Sequence, residues 1–221
     1  MIFSPLAPNL SIIPQNRLGY SLAEWLFYRL KLTKLAKMAE VKNTPIQGVV
    51  EIFPRIFPDN RGYFFESFRQ DWLEKAGFSE VWVQDNQSFS QKGTVRGLHF
   101  QNAPFAQAKL VRVISGKVLD VALDLRKDSP TFGQFYSTIL DSEKNNLLYI
   151  PAGFGHGFSV LEDAVFVYKC SNYYNKGSEG GILWSDPALG IDWMVDEPII
   201  SEKDQVWPTL EEFRIQTGGG L

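Results

Sequence analysis

From about residue 44 onward the chain is a succession of short segments rich in β-branched and aromatic residues, and this pattern constrains the fold most strongly. Gly, Pro, Asn and Asp separate the segments, as expected of strands joined by turns. Many short strands at close spacing predict an all-β sandwich or closed barrel such as a jelly roll. The segments are GVVEIFPRIF, EVWVQDNQSFS, AKLVRVI, KVLDVALDLR, GQFYSTIL, NLLYIP, GHGFSVL and AVFVYKCSNYY.

Few helices are expected within this β region. The segment RQDWLEKAG has helical character and ends at Gly77, which is a typical helix stop. A chain of 221 residues is within the range of a single all-β domain. We therefore assign residues 41–215 to one domain and residues 216–221 to a C-terminal tail.

Residues 1–40 differ in character and are predicted to be an N-terminal extension, either helical or poorly ordered. Ser21 and Glu24 have the spacing of a capping box, and a basic amphipathic segment follows them. One interpretation is a helix that lies on a membrane surface or a partner; an appended extension is favoured, since order is least certain at termini. The first residues lack a basic stretch and contain prolines, so a signal peptide is not expected.

A hairpin is predicted around Ser115-Gly116, between AKLVRVI and KVLDVALDL. In that register Lys109 is a diagonal neighbour of Asp120 on the face that also carries Asp124. The opposite face is apolar. Lys109 and Asp120 form either a solvated surface pair or a cavity-lining lysine anchored by a carboxylate, and the pattern does not separate the two.

Charge and composition limit the partners. The net charge is −3, which disfavours nucleic acid as the main partner, and no apolar run approaches the length of a membrane span. Cys170 is the single cysteine, so no internal disulfide forms and a reducing compartment such as the cytoplasm is expected. It is interpreted as a small buried residue rather than a nucleophile.

His99, in VRGLHFQ, is one of only two histidines, and histidine exchanges protons near neutral pH. His156 is the other, and there is no His-x-His pair, so a metal site is not expected. The glycines of GFGHG do not have the spacing of a dinucleotide-binding turn. No metal or cofactor is therefore predicted.

Several separated motifs together resemble the dTDP-4-dehydrorhamnose 3,5-epimerase family over about residues 45–208. They are PDNRGYFFESF, VQDNQSFS, VRGLHFQ, KLVRVISGKVLDVALDLRKDSPTFGQF, IPAGFGHGFSVL, YKCSNYY, SEGGILWSDPALGIDW and SEKD. The resemblance implies a cupin-type jelly-roll barrel, a homodimer, and epimerisation of a dTDP-sugar in dTDP-L-rhamnose biosynthesis without a cofactor.

The resemblance also implies catalytic roles. His99 matches the base that removes protons beside the C4 ketone, and Asp204 matches its carboxylate partner. Lys109 matches the cation that stabilises the enolate oxygen, with Asp120 beside it. Tyr168 matches the general acid on the opposite face of the sugar.

Further positions match the family's substrate-binding residues. Arg61 and Arg96 suit the pyrophosphate, and Tyr174 suits stacking on the thymine. Lys203 is a weaker match. The remaining matches are Glu66, Gln84, Asn86, His156 and Glu179.

Two departures from the family pattern and two alternatives remain. Ala108 stands where the family usually has glycine, and the N-terminal extension has no counterpart. A 3-epimerase or 5-epimerase acting on a related dTDP-4-keto-sugar has the same residues. A non-catalytic nucleotide-sugar-binding cupin belongs to a different functional class, and the complete set of catalytic residues disfavours it.

Overall fold

The computed structural model describes residues 38–221, which contain eleven strands and two short helices. The strands are β1 (Ala39–Asn43), β2 (Val50–Pro54), β3 (Phe57–Asp59), β4 (Gly62–Phe64), β5 (Gln84–Ser90), β6 (Val95–Gln101), β7 (Lys109–Asp124), β8 (Phe135–Asp141), β9 (Leu147–Ile150), β10 (Phe154–Cys170) and β11 (Glu179–Gly181). The helices are α1 (Gln70–Lys75) and α2 (Leu210–Thr217), and 3₁₀ turns cover Lys176–Ser178 and Lys203–Gln205.

Two long strands organise the fold. β7 and β10 have 16 and 17 residues and pair antiparallel along nearly their whole length. The first part of β7 also pairs with β9 and its second part with β8, while β10 pairs with β6 near its start and β5 near its end. β2 and β1 extend one sheet, and β11 extends the other. Two sheets therefore share β7 and β10, and the predicted all-β jelly-roll fold is confirmed.

The hairpin predicted at Ser115-Gly116 is wrong, because β7 continues through these residues to Asp124. Gly116 has φ +78°, and a side chain there would overlap the carbonyl of Asp163 on β10. The register between the two strands shifts repeatedly from Val160 to Phe166. This bulge bends both strands together and replaces a reversal of the chain.

The predicted assignment of β7 side chains to the two faces of the sheet remains correct, although the hairpin is absent. A bulge shifts the alternation of side chains by one residue, and the predicted two-residue turn has the same effect on which residues share a face. Lys109 before Gly116 and Asp120 after it therefore still lie on the same face of the sheet, as predicted. Asp120 is fully buried, and its charge acts on Lys109 in the interior. The cavity-lining interpretation of this pair is the one that the structure supports.

Apolar side chains form two clusters on opposite faces of the second sheet, which is the sheet that contains β6, β8 and β11. The interior cluster lies between the two sheets and includes Val111, Val118, Phe158 and Phe166. The other lies outside the second sheet, where the chain after β11 and helix α2 cover it; it includes Leu119, Val121, Trp193 and Phe213. This second cluster fixes the segment that carries Asp204 against β6 and β11.

The helix predicted over residues 69–77 is confirmed as α1, and Gly77 follows it with φ +91°. Helix α2 was not predicted. Its start is a capping box, in which the Thr209 side chain accepts from the Glu212 backbone and the Glu212 carboxylate accepts from the Thr209 backbone. Within residues 38–221 neither helix is long and apolar enough to cross a membrane.

The predicted N-terminal extension and C-terminal tail both overlap regular elements of the described structure. The helix predicted after Ser21 lies outside the described residues. β1 begins at Ala39, inside the last two residues of the predicted extension. In the predicted C-terminal tail, residues 216–217 belong to α2, and the Leu221 backbone N–H donates to the Leu125 carbonyl at 2.7 Å.

At the end of β7, Asp124 is fully buried and accepts five hydrogen bonds. Three come from Arg126, through its backbone N–H at 3.0 Å, Nε at 2.9 Å and Nη2 at 2.7 Å. The hydroxyls of Ser129 and Thr131 each donate at 2.6 Å. Burial on its own would raise the pKa of Asp124, but these bonds outweigh it and hold the pKa below its ordinary value of 3.8.

We expect Asp124→Ala to lower the free energy of unfolding at pH 7 by about 3 kcal/mol, because it leaves a half-buried guanidinium without its partner. The carboxylate contributes fully above its ordinary pKa and loses that contribution as the pH falls through the lowered pKa of the folded state. The difference from wild type should therefore shrink in acid. Urea unfolding at pH 7 and pH 3 measures it. Asp71→Ala removes a partly exposed ion-paired carboxylate and serves as the control, and an equal loss in both variants would contradict the prediction.

Candidate active site

A cavity opens into the interior between the two sheets. Its wall includes His99 from β6, Lys109 from β7 and Tyr168 from β10. These are three of the four residues predicted to be catalytic. Four of the predicted substrate-binding residues line the same cavity, namely Gln84, Asn86, Tyr174 and Glu179.

The fourth predicted catalytic residue, Asp204, lies behind His99 and is buried. Its Oδ1 is 2.6 Å from His99 Nε2. Burial on its own would raise the pKa of Asp204, but the hydrogen bond and charge of His99, with bonds from Trp207 and Gly97, hold it below 3.8. An ionised carboxylate can only accept, so Nε2 carries the hydrogen and Nδ1 of the neutral ring is the basic nitrogen.

Gly97, two residues before His99, allows β6 to lie very close to β10. Gly97 has φ +128°, and a Cβ there would overlap Cα of Gly157 and lie 2.9 Å from the His156 carbonyl. His99 is paired across the strands with His156 on one side and Gly181 on the other. The close approach therefore sets the position of His99 relative to both neighbouring strands.

Lys109 lies at the base of the cavity, with Nζ 3.4 Å from the His99 carbonyl. Burial lowers the pKa of its ammonium group, while the charges of Cys170, Asp120 and Glu179 oppose the shift. A cation in this position lacks the solvation that water would give. It can therefore stabilise a negative charge that develops in the cavity.

His156 is paired with Asp120 beneath the cavity wall. Its Nε2 is 2.9 Å from Asp120 Oδ2 and 3.1 Å from Oδ1, and both side chains are buried. Burial lowers the pKa of His156, while Asp120 opposes the shift and Lys109 and His99 add to it. His156 is therefore not among the side chains that line the cavity, although it lies close enough to Lys109 for the lysine charge to affect its pKa.

Tyr168 lies opposite Asn86 of β5 and Val111 of β7. Burial raises the pKa of its phenol to about 12, and the positive charge of Arg96 opposes that shift. Tyr168 is therefore protonated at neutral pH and has a proton to give.

Arg96 itself donates from Nε to the Ser90 hydroxyl at 3.1 Å.

The outer end of the cavity is polar and partly exposed. The Tyr174 hydroxyl donates to Glu179 at 3.3 Å, and its backbone N–H donates to Gln84 at 2.9 Å. Lys203 forms an ion pair with Glu179 at 2.7 Å. The exposed ring of Tyr174 presents a flat surface at the mouth.

Arg61 and Glu66 do not line this cavity. Arg61 lies at the tip of the β3–β4 hairpin, paired with Asp59 at 2.6 Å, and its side chain is 84% exposed. Glu66 is paired with Arg69 at 3.3 Å. Their predicted binding roles remain predictions.

Three polar side chains at the site were not predicted. Gln101 and Gln107 line the cavity, and Trp207 donates from Nε1 to Asp204 at 3.3 Å. Gln101 lies two positions after His99 on β6, so strand alternation offered a signal for it. Across residues 38–221, no three His, Cys, Asp or Glu side chains converge in a way that would hold a metal ion.

Comparison with known proteins gives one consistent family. The family model described as dTDP-4-dehydrorhamnose 3,5-epimerase matches residues 43–212. The chain is 51% identical to the dTDP-4-dehydrorhamnose 3,5-epimerase of Shigella flexneri over 166 residues, which cover 74% of this chain and 92% of that protein.

Solved structures agree in fold. The dTDP-6-deoxy-D-glucose-3,5-epimerase of Legionella pneumophila, in complex with dTDP-4-keto-L-rhamnose, has a TM-score of 0.77 and 44% identity, covering 80% of this chain and 96% of that one. A 3′-monoepimerase from Streptomyces bikiniensis in complex with dTDP-quinovose has a TM-score of 0.74 and 37% identity, covering 79% and 89%.

We expect Gly97→Ala to disrupt the site and destabilise the fold, because the added methyl group separates β6 from β10. Gly190→Ala is the matched control, since Gly190 also has a positive φ of +63° but nothing lies within 4 Å of an added Cβ. The control should lose about 1 kcal/mol of unfolding free energy from backbone strain alone. Thermal and urea unfolding measure both variants. Equal losses would show that the contact between the strands has no special importance.

Proposed function

The chain belongs to the dTDP-4-dehydrorhamnose 3,5-epimerase family, and we propose that it inverts C3 and C5 of dTDP-4-dehydro-6-deoxy-D-glucose. The product is dTDP-4-dehydro-L-rhamnose, an intermediate of dTDP-L-rhamnose biosynthesis. The enzyme is thus an isomerase. The observation that carries this proposal is the His99–Asp204 pair, beside a cavity that also contains Lys109 and Tyr168.

His99 acts as the base for each inversion. Hydrogens on C3 and C5 are acidic because the C4 ketone lies beside both carbons. Nδ1 of His99 takes the proton, and the electron pair of the C–H bond moves into an enolate whose charge lies on the C4 oxygen. Asp204 holds the ring and stabilises the imidazolium, as a carboxylate does for a catalytic histidine.

Lys109 stabilises the enolate oxygen. Burial has removed water from its ammonium group, so a negative oxygen in the cavity replaces part of the lost solvation. Asp120, held in turn by His156, offsets part of that burial and fixes the charge in place. His156 thereby contributes to the site through Asp120 and Lys109.

Tyr168 returns a proton to carbon from the face opposite His99, and this inverts the configuration. A phenol with a pKa of about 12 stays protonated at neutral pH and is a better acid towards an enolate carbon than water is. The imidazolium and the phenolate then exchange protons with solvent to restore both groups. No external oxidant or reductant is needed, because the substrate and product are isomers.

The remaining predicted residues bind the nucleotide part of the substrate. Tyr174 stacks on the thymine, which needs only an exposed ring. Arg96 and Arg61 bind the pyrophosphate, and Glu179 with Lys203 closes the polar end of the cavity. Gln84, Asn86 and Glu66 complete the binding set. The single buried Cys170 and a sugar-nucleotide substrate favour a cytoplasmic location.

One alternative is inversion at a single carbon. The similarity to the Streptomyces bikiniensis 3′-monoepimerase supports it, because that protein has the same fold and is named for inversion at one carbon. Deuterated water separates the two functions: label at both C3 and C5 supports the double epimerase, and label at one carbon supports the alternative. A non-catalytic binding protein would bind the dTDP-sugar without introducing label.

We expect Tyr168→Phe to separate proton removal from inversion. His99 still removes the proton and returns a deuteron on the same face, so recovered substrate should gain label while epimerisation falls by about 10²–10⁴-fold. NMR of the sugar after incubation in deuterated water measures both. His99→Asn is the companion variant and should lose exchange and epimerisation together. If Tyr168→Phe epimerises at the wild-type rate, Tyr168 is not the acid.

The homodimer is proposed to form through the outer face of the sheet made by β5, β7 and β10. This face contains a groove lined by Phe68, Arg112, Ile114 and Val167. Ile114 is 49% exposed and Phe89, at the edge of the same face, is 60% exposed. Exposed apolar side chains grouped on one sheet face, here with Arg112, Asp85 and Lys169 among them, are typical of an interaction surface.

We expect wild-type protein to have twice the mass of one chain by light scattering, and the double variant Phe89→Asp/Ile114→Asp to be monomeric. Each carboxylate would be placed in an apolar interface, where burial of an unpaired charge is strongly unfavourable. Ile215→Asp, on the exposed side of α2, is the control and should stay dimeric. A dimer that tolerates both aspartates would place the interface elsewhere.

A further inference from the structure

Trp207 lies directly beside the His99–Asp204 pair but does not line the cavity. Its Nε1 donates to Oδ1 of Asp204 at 3.3 Å, and this is the same oxygen that lies 2.6 Å from His99 Nε2. Its ring meets the His99 ring edge-on, at a centroid distance of 6.4 Å and an angle of 69°. Asp204 Oδ1 therefore has two N–H partners, one of which belongs to the proposed base.

The fold holds Trp207 in this position through β11. Gly181 is paired with His99 across the strands, and a Cβ on Gly181 would lie 2.6 Å from the indole ring. The indole thus occupies the space that a side chain at residue 181 would fill. Next along the chain, the Pro208 carbonyl accepts from the Leu183 backbone at 2.8 Å. The tryptophan and the histidine are therefore both fixed to the same strand pair.

The second N–H donor on Asp204 Oδ1, which comes from Trp207, has two effects. It restricts rotation of the carboxylate, so Oδ1 stays directed at His99 while Oδ2 lies 3.5 Å from the Gly97 backbone N–H. It also neutralises part of the negative charge, so the carboxylate attracts a protonated imidazole less strongly. A base that must release its proton in every catalytic cycle benefits from a limited attraction.

We propose that Trp207 is a positioning residue for the epimerisation, which orients Asp204 towards His99 and limits how tightly His99 retains the proton it removes. This inference rests on the proposed function, in which His99 is the base. Trp207 acts through Asp204 and contacts no substrate. The assignment is specific to the indole N–H, because the packing on Gly181 needs only a flat ring.

Other titratable or charged groups lie on β6 and on the elements packed around it, and Trp207→Phe replaces none of them. They are Lys109, His156, Tyr168 and Glu179, together with Arg96, whose charge acts on Tyr168. None of them contacts the Trp207 indole nitrogen in the described structure. A change caused by removing that nitrogen is therefore attributable to Asp204.

We expect Trp207→Phe to move the acid limb of the kcat/KM profile to higher pH by about 0.5 unit, because Asp204 then attracts the imidazolium more strongly. We also expect kcat to fall by about 3–10-fold with KM unchanged, since orientation is less strictly held. NMR titration of histidine-labelled protein gives the same midpoint without turnover. The chain has only two histidines, and His99→Asn identifies the signal of His99.

Trp193→Phe is the matched control. Trp193 also donates its Nε1, to the Trp184 carbonyl at 2.9 Å, but it is packed in the cluster outside the second sheet. It should leave the His99 midpoint unchanged. Gly181→Ala, which pushes the indole away from Asp204, should reproduce the upward shift of Trp207→Phe.

The outcomes are distinguishable. An unchanged or lowered midpoint in Trp207→Phe overturns the inference, and so does loss of activity with an unchanged midpoint, which indicates a merely structural role. Failure of the proposed function appears separately, as full activity in His99→Asn. If Trp207→Phe does not fold, the midpoint in Gly181→Ala decides the same question.

Discussion

The continuous pairing of β7 with β10 is the constraint on which the rest of the structure depends. Each strand is long enough to belong to both sheets, and the bulge beside Gly116 lets the two bend together. The bend turns Lys109 and Asp120 to the same interior, although eleven positions separate them in the chain. Because β10 follows the same bend, His156 and Tyr168 reach that interior from the two halves of one strand.

Burial of charge gives this interior its chemistry. Ionised groups that are removed from water need oppositely charged or hydrogen-bonding partners. In this interior, such groups are only partly compensated, or share a partner with a neighbour. Lys109 lacks full solvation, and Asp204 divides its hydrogen bonding between His99 and Trp207. The same low-polarity setting keeps Tyr168 protonated. In the proposed reaction, His99, Lys109 and Tyr168 serve in turn as the base, the cation that stabilises the enolate, and the acid.

The sequence predicted much of this arrangement, and the failures have physical causes. Strand alternation placed Lys109 and Asp120 on one face, but local pattern does not distinguish a two-residue turn from a bulge when glycine suits both. In the sequence, helix α2 is indicated only by the short capping box at its start, and its stability comes from packing of Phe213 in the cluster outside the second sheet. Motif resemblance also grouped Arg61 and Glu66 with the site; neither lines the cavity in the described chain, so their binding roles stay predictions.

The proposed reaction requires His99 and Tyr168 to act on opposite faces of one sugar ring. A crystal structure with an unreactive dTDP-sugar analogue measures this arrangement. We expect His99 Nδ1 and the Tyr168 hydroxyl both to lie within about 3.5 Å of the reacting carbon, on opposite sides of the ring. A complex in which both groups approach from the same side, or in which the sugar binds away from His99, would contradict it.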